Sequence, residues 1–387
     1  MLSALVAVVA LLAVGGPPAV TIPAEKHAGP NAAAVAISAD GARVAAGYGG
    51  DWTGYQPLRD PSGGVAVWDR QTGQQLYSTK QIGDILRVEF SKDGRYLAYN
   101  WIYTPGDSVH ANQVVLVDLQ TGEAIQKWES ESFAFSPTDN LVLVGQRDGI
   151  DVVSLPSLEK VRQLPVSYPR CIAVSSDGQR VAALGAYWQD RRGTPDGLYV
   201  VALDGSGEPW VRHGEQLGKA QSLAISADGR SVATGHDGGE VRIWNTTDAS
   251  APPRLLAVDT PLALFPLFWS DGSSLAIFTQ PVNGATWDYR QVDSAVVPVK
   301  EGESPPWAEG YIHDLSVGPA GVIHWRLEDA SYVTHYARFQ TTRGHPEVNS
   351  RRYVLSPDGR TLIASCNGCT LIDVATGRIE RSFARKE

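Results

Sequence analysis

A turn of the form Ser-x-Asp-Gly, set between two short apolar runs, recurs along the chain and limits the fold more than any other feature. It stands at Ser38-Ala39-Asp40-Gly41, Ser91-Lys92-Asp93-Gly94, Ser175-Ser176-Asp177-Gly178, Ser226-Ala227-Asp228-Gly229 and Ser356-Pro357-Asp358-Gly359, with Trp269-Ser270-Asp271-Gly272 a variant. Degraded copies occur at Ser136-Pro137-Thr138-Asp139 and Gly318-Pro319-Ala320-Gly321. The eight first residues, at 38, 91, 136, 175, 226, 269, 318 and 356, are about 45 residues apart on average, the length of one supersecondary unit in a repeat protein. Asp supplies a side-chain acceptor within the turn, and Gly tolerates positive φ.

Short β-prone runs flank every turn. Val35-Ala36-Ile37, Val88-Glu89-Phe90, Phe133-Ala134-Phe135, Ile172-Ala173-Val174 and Leu223-Ala224-Ile225 precede it; "RVAAGY", "RYLAYN", "RVAALG", "SLAIFT" and "TLIASC" follow it. These runs are too short for stable helices and are bounded by Gly, Asn and Asp. A third run comes next, as in "GVAVWD", "QVVLVD", "GIDVVS", "GLYVVALD", "EVRIWN" and "CTLIDV", often closed by Thr-Gly, and a fourth, more polar run completes the unit. Inner strands covered on both faces read apolar, whereas an outermost strand meets water.

One such sheet cannot bury both its faces, but a ring of them can, each sheet packing on the next. The fold class predicted is all-β, a β-propeller of eight four-stranded blades over residues 31–387, with seven blades as the alternative because the unit around 311–345 is the weakest. Residues 19–30 read as a lead-in. Ring closure has two candidates, Ile379–Phe383 within the last unit or Ala19–Pro23. Val67-Trp68-Asp69, Ile243-Trp244-Asn245 and Trp287-Asp288 resemble the Trp-Asp ending of WD40 repeats. The turn is similar to that of divergent bacterial WD40-like (WD40/YVTN-type) propellers. The likeness spans about residues 31–386 and implies that Trp68, Trp244 and Trp287 pack between blades. The Gly-His pair that heads a WD40 unit is absent, and Gly235-His236 follows a second strand instead, so that family's buried His–Asp–Ser–Trp network is not implied. Asp69, Asp118 and Asp373 open Asp-x-x-Thr-Gly endings similar to those of quinoprotein propellers.

A formal charge of −9 and the lack of any long Lys/Arg run argue against nucleic acid as partner. The apolar run Ala4–Val14 is too short to span a bilayer but fits the apolar part of a secretory signal peptide, with Ala13 and Gly15 as small residues near a cleavage point. Residues 1–18 are therefore read as a signal or N-terminal apolar segment, and the mature chain as exported without a membrane span. Three cysteines exclude a disulfide-dense scaffold. Cys366 and Cys369 flank Asn367-Gly368, a hairpin dipeptide that would set the thiols opposite each other.

No GxSxG elbow, HExxH, Walker loop or GxGxxG sits in the context its chemistry requires. Propeller enzymes gather residues from several blades at the channel, so a hydrolase- or quinoprotein-like enzyme remains the alternative. No catalytic residue, metal or cofactor is assigned; His313, His324, His335 and His345 cluster in sequence without a carboxylate or Cys at ligand spacing. The connection between second and third strands is tight in some units but long in three: residues 49–64, 101–112 and 187–197. These stretches hold Trp52 and Tyr55, Trp101, Tyr103 and Asp107, and Tyr187, Trp188 and Asp190. Equivalent connections emerge on one face of a ring, and aromatics grouped there are what recognition surfaces use. The expected role is a non-catalytic platform that docks a protein or peptide, or alternatively a glycan, on that face.

Overall fold

The computed structural model describes residues 21–22, 32–49, 63–103, 111–185, 197–214, 217, 220–236, 240–257, 262–268, 275–281, 326–327, 353–356, 361–364, 369–373 and 379–385. Strand β1 (Thr21–Ile22) precedes the four-stranded sheets. The first sheet is β2 (Ala32–Ile37), β3 (Arg43–Tyr48), β4 (Gly64–Asp69) and β5 (Gln75–Ser78). The second is β6 (Asp84–Phe90), β7 (Tyr96–Tyr103), β8 (Ala111–Asp118) and β9 (Glu123–Glu129). The third is β10 (Phe133–Phe135), β11 (Leu141–Gln146), β12 (Gly149–Ser154) and β13 (Lys160–Leu164). The fourth is β14 (Pro169–Val174), β15 (Arg180–Gly185), β16 (Gly197–Ala202) and β17 (Trp210–His213). The fifth is β18 (Ala220–Ile225), β19 (Ser231–His236), β20 (Glu240–Asn245) and β21 (Arg254–Ala257). β22 (Leu262–Phe268) and β23 (Leu275–Pro281) form a two-stranded sheet, and β24 (Arg326–Leu327) pairs in parallel with β1. The last sheet is β25 (Tyr353–Leu355), β26 (Thr361–Ala364), β27 (Cys369–Asp373) and β28 (Ile379–Phe383).

Every four-stranded sheet is an antiparallel meander in chain order. The burial of successive strands explains their composition. β3 and β4 are almost wholly buried, whereas β5 alternates between half-buried and exposed positions. Apolar residues of consecutive sheets mesh into shared cores. Ala34, Val67 and Val88 join the first and second sheets, Leu116 and Val142 the second and third, Ile150 and Val181 the third and fourth, and Leu184 and Val232 the fourth and fifth. The last sheet packs on the first through Ile363, Cys369, Leu371 and Phe383 against Val44, Tyr48 and Trp68, so the chain returns on itself. Neighbouring sheets meet through their first strands, which therefore lie nearest the axis of the ring. This is the all-β, multi-bladed propeller architecture that the repeat predicts. The unit expected at 311–345 lies outside the described residues apart from Arg326–Leu327.

The recurring turn is more elaborate than its Asp and Gly. Ser38, Ser91, Ser175, Ser226 and Ser356 are buried. Each hydroxyl accepts the backbone N–H five residues on, at 2.9 Å: Arg43, Tyr96, Arg180, Ser231 and Thr361. In four turns the same hydroxyl donates to the turn aspartate: Asp40 at 2.5 Å, Asp93 at 2.6 Å, Asp177 at 2.5 Å and Asp228 at 2.7 Å. Gly41, Gly94, Gly178 and Gly229 all have φ near +70°, the left-handed region that glycine enters without steric cost. Asp271, Gly272, Asp358 and Gly359 lie outside the described residues.

Candidate functional site

In an antiparallel meander, the first–second and third–fourth turns share one end of the sheet, and the second–third connection lies at the other. The Ser-x-Asp-Gly turns therefore ring one face. There Arg43 Nη1 donates to Gly94 O at 2.6 Å, Lys92 Nζ to Thr138 O, and the Asp177 N–H to Ala227 O at 3.1 Å, which ties turn to turn around the rim. The opposite face carries the second–third connections. Among the described four-stranded sheets, three of them are long. They leave from Tyr48 opposite Gly64, Tyr103 opposite Ala111, and Gly185 opposite Gly197, equivalent strand ends in the first, second and fourth sheets.

Of the proposed binding residues, Trp52, Tyr55, Asp107, Tyr187, Trp188 and Asp190 lie outside the described residues. Trp101 and Tyr103 belong to β7 rather than to a loop: the second sheet extends its pairing through Trp101 opposite Gln113 and Tyr103 opposite Ala111. This corrects the expectation of an insertion starting at residue 101. Trp101 is half-buried and packs on the core of the first and second sheets. Its indole N–H donates to Ile82 O at 2.8 Å, and the Lys127 ammonium lies 5.7 Å from its ring centroid. It is a fixed aromatic at the base of the second long connection.

Other polar side chains cluster nearer the axis, where the repeat pattern points to none. Arg87 on β6 is fully buried, and Glu89, two residues on, shares its side of the strand because side chains alternate. Arg87 Nε and Nη2 donate to Glu89 Oε1 at 3.0 and 2.6 Å, and Nη2 also reaches Ile172 O on β14 at 3.3 Å. Glu89 Oε2 accepts the Phe135 N–H on β10 at 3.2 Å, and the guanidinium lies 5.0 Å from the Phe133 ring centroid. One ion pair thus links the axial strands of three consecutive sheets. Arg170 on β14 makes the next link, donating to Ala220 O at 2.6 Å. The sequence signal is the Arg-x-Glu pair within the apolar run "ILRVEF", residues 85–90.

Electrostatics on the turn face are those of structural carboxylates. The Ser38 hydroxyl holds the Asp40 carboxyl below its usual range, and the Arg95 side chain does the same to Asp118, with Arg95 Nη2 2.6 Å from Asp118 Oδ2. Burial raises Tyr77 to about 12 and pushes the Cys369 thiol up. Cys369 is a buried free thiol in the core between last and first sheets, with Ala364 paired opposite Thr370; Cys366 lies outside the described residues. No three His, Cys, Asp or Glu side chains among the described residues group as metal ligands, and no described helix is long and apolar enough to cross a membrane.

Trp68 and Trp244 are buried between sheets, Trp68 against Phe383 with ring centroids 5.6 Å apart; Trp287 lies outside the described residues. The family model for the WD domain, G-beta repeat, matches residues 213–245, the stretch that ends on Trp244-Asn245. The chain is a β-propeller in which one stretch matches the WD40 repeat. Its fold is similar to that of a chain of hydrazine synthase from Kuenenia stuttgartiensis, at a TM-score of 0.55 and 16% identity, with 92% of this chain and 98% of that chain covered. That likeness is one of fold alone. No curated protein matches the sequence. Within the matched WD40 repeat, Trp244 Nε1 donates to Thr234 Oγ1 at 2.9 Å, and the same hydroxyl lies 2.8 Å from buried His236 Nε2. His236 does not head its unit, so its place in the sequence gives no hint of this contact. The structure brings it to the Trp–Thr pair from the end of β19, where the hydroxyl bridges both rings.

Proposed function

We propose that this propeller is a non-catalytic binding platform that docks a protein or peptide on the face bearing the long second–third connections. The observation that carries this reading is their common origin. Three of these connections leave from equivalent strand ends of the first, second and fourth sheets, on one face of the ring. Trp101 supports it as a rigid aromatic fixed by packing and by its bond to Ile82 O, the kind of side chain that gives large contact area with little entropy to lose. Export is part of the proposal, supported by the apolar run at residues 4–14.

Trp52 and Trp188 are the residues to test, because substituting the packed Trp101 would also disturb the core. The double variant Trp52→Ala/Trp188→Ala should lose the proteins retained by the immobilised wild type from an extract of the compartment to which the chain is exported, at an unchanged melting temperature. Retention of the same proteins by the variant would refute the docking face.

A further inference from the structure

The seam where the last blade meets the first holds a cation in a cradle made of backbone carbonyls and an aromatic ring. Arg385 lies two residues beyond β28 and is half-buried. Its Nη1 donates to Gly63 O at 2.8 Å and to Thr79 O at 3.4 Å, and its guanidinium carbon lies 4.8 Å from the Tyr48 ring centroid. The cradle is built to fit. Gly63 O also accepts the Gln81 N–H, and Thr79 is held by paired bonds with Val65, N to O at 2.8 Å and Val65 N to Oγ1 at 3.0 Å. Gly64 sits at φ +132°, where a Cβ would stand 2.1 Å from Thr79 O and 3.0 Å from Arg385 Nη1, so a side chain there would close the cradle. Tyr48 is 1% exposed and presents its ring as a wall. These atoms lie at the ends of β3, β4 and β5, on the face of the long connections.

Two carbonyls and a π-face recognise a planar cation, and a guanidinium satisfies all three at once. The residue that fills the cradle stands outside the last strand, so its side chain can leave without unpairing a sheet. The chain's formal charge of −9 draws basic ligands toward it. We propose that the Gly63–Thr79–Tyr48 cradle is a guanidinium-binding site that Arg385 occupies in the free protein, and that an arginine of a basic partner peptide displaces it. This rests on the docking-face reading and names the chemistry of the partner there.

The probe is a labelled hexapeptide of the chain's own residues 382–387, Ser-Phe-Ala-Arg-Lys-Glu, titrated by fluorescence anisotropy. Arg385→Ala should bind it at least about tenfold more tightly than the wild type, whose tethered arginine competes at an effective concentration on the order of millimolar. The same peptide with Ala in place of Arg should lose that binding. Equal affinity of wild type and variant, or equal binding of the two peptides, overturns the proposal. Should Arg385→Ala lack a cooperative melt, Arg385→Lys serves instead. A lysine ammonium lacks the planar face that lies over the Tyr48 ring, so this variant too should bind more tightly than wild type, and no difference overturns the proposal. Trp52→Ala/Trp188→Ala in the Arg385→Ala background should keep the peptide. If the peptide binds while the Trp substitutions leave partner retention intact, the docking face fails and the cradle stands. If retention is lost but no peptide binds, the reverse holds.

Discussion

The buried serine of the repeat turn gives the sharpest quantitative test. Ser38 is fully buried; its hydroxyl accepts the Arg43 N–H at 2.9 Å and donates to Asp40 Oδ1 at 2.5 Å. Ser38→Ala leaves the Arg43 N–H without its acceptor, a desolvation penalty of about 1–3 kcal/mol. The bond to the carboxylate adds less than the full value of a charge-assisted bond, because Asp40 is exposed and water replaces much of what it loses. The expected total is about 2 kcal/mol, read from urea unfolding as a lower midpoint at constant slope. A double-mutant cycle isolates the second part. Asp40→Asn keeps an acceptor for the Ala42 N–H, 2.9 Å from Oδ1, but removes the charge, so the two substitutions should be non-additive by about 0.5–1 kcal/mol. Ser175→Ala and Ser226→Ala should behave alike, since their geometry is the same. A loss under about 0.5 kcal/mol at all three positions, on the order of an ordinary surface change, would refute the claim that the serine rather than the Asp-Gly pair organises the turn.

Other perturbations have outcomes set by the same structure. Glu89→Gln leaves the buried Arg87 charge uncompensated and should cost about 3–5 kcal/mol in urea unfolding, whereas Arg87→Met/Glu89→Leu should recover most of it. Gly47→Ala should cost about 1–3 kcal/mol through overpacking, because its Cβ would fall 2.4 Å from Ile85 Cγ2; Gly122→Ala, with open space but φ at +74°, should cost about 1 kcal/mol from backbone strain alone. Asp40, Asp69, Asp118, Asp204, Asp228 and Asp248 all titrate below their ordinary range when folded. Folding therefore gains from these groups above the unfolded value of about 3.9 and loses that gain as pH falls through the folded values. Urea midpoints should be level above about pH 5, decline below about pH 4, and decline less in Asp118→Asn. Phe383→Ala removes the ring that meets Trp68 across the closing seam and should cost about 3–5 kcal/mol, with faster amide exchange first at Cys369–Leu371.

What the sequence shows and what it hides divide along a physical line. Strand order is local: each Ser-x-Asp-Gly turn and each Thr-Gly ending joins runs a few residues apart, so the meander can be read directly from the chain. The bulges are not legible. Ala33, Leu86, Arg170 and Gln221 each interrupt the register of an axial strand five residues before the turn serine, yet share no residue type. A bulge demands backbone room more than a particular side chain. The limits of the long connections are blurred for a related reason. Tryptophan and tyrosine suit strands as well as recognition loops, and Trp101 and Tyr103 continue β7 because Gln113 and Ala111 stand opposite to pair with them. Contacts between sheets are the least legible. Arg87 and Glu89 look like a solvated pair until packing places Phe133 and Ile172 over them.

Ring closure depends on contacts of that least legible kind. The last sheet is built wholly from residues 353–383 and the first wholly from residues 32–78, while Thr21–Ile22 pairs with Arg326–Leu327. Among the described strands, no hydrogen-bonded ladder crosses the seam between first and last sheets. The four joints between the first five sheets have a covalent connection as well as a core, and the seam has side chains alone. Its polar bonds reflect that difference. Arg70 Nη2 reaches Thr361 Oγ1 at 2.6 Å and Glu380 Oε2 at 2.9 Å on the turn face, and Arg385 grips the Gly63 and Thr79 carbonyls on the other. Lacking the covalent connection of those four joints, the seam is expected to open before them, and Arg385 lies on the face proposed for docking. Binding there and closing the ring thus draw on the same atoms, which makes the seam the point where a partner could alter the stability of the whole propeller.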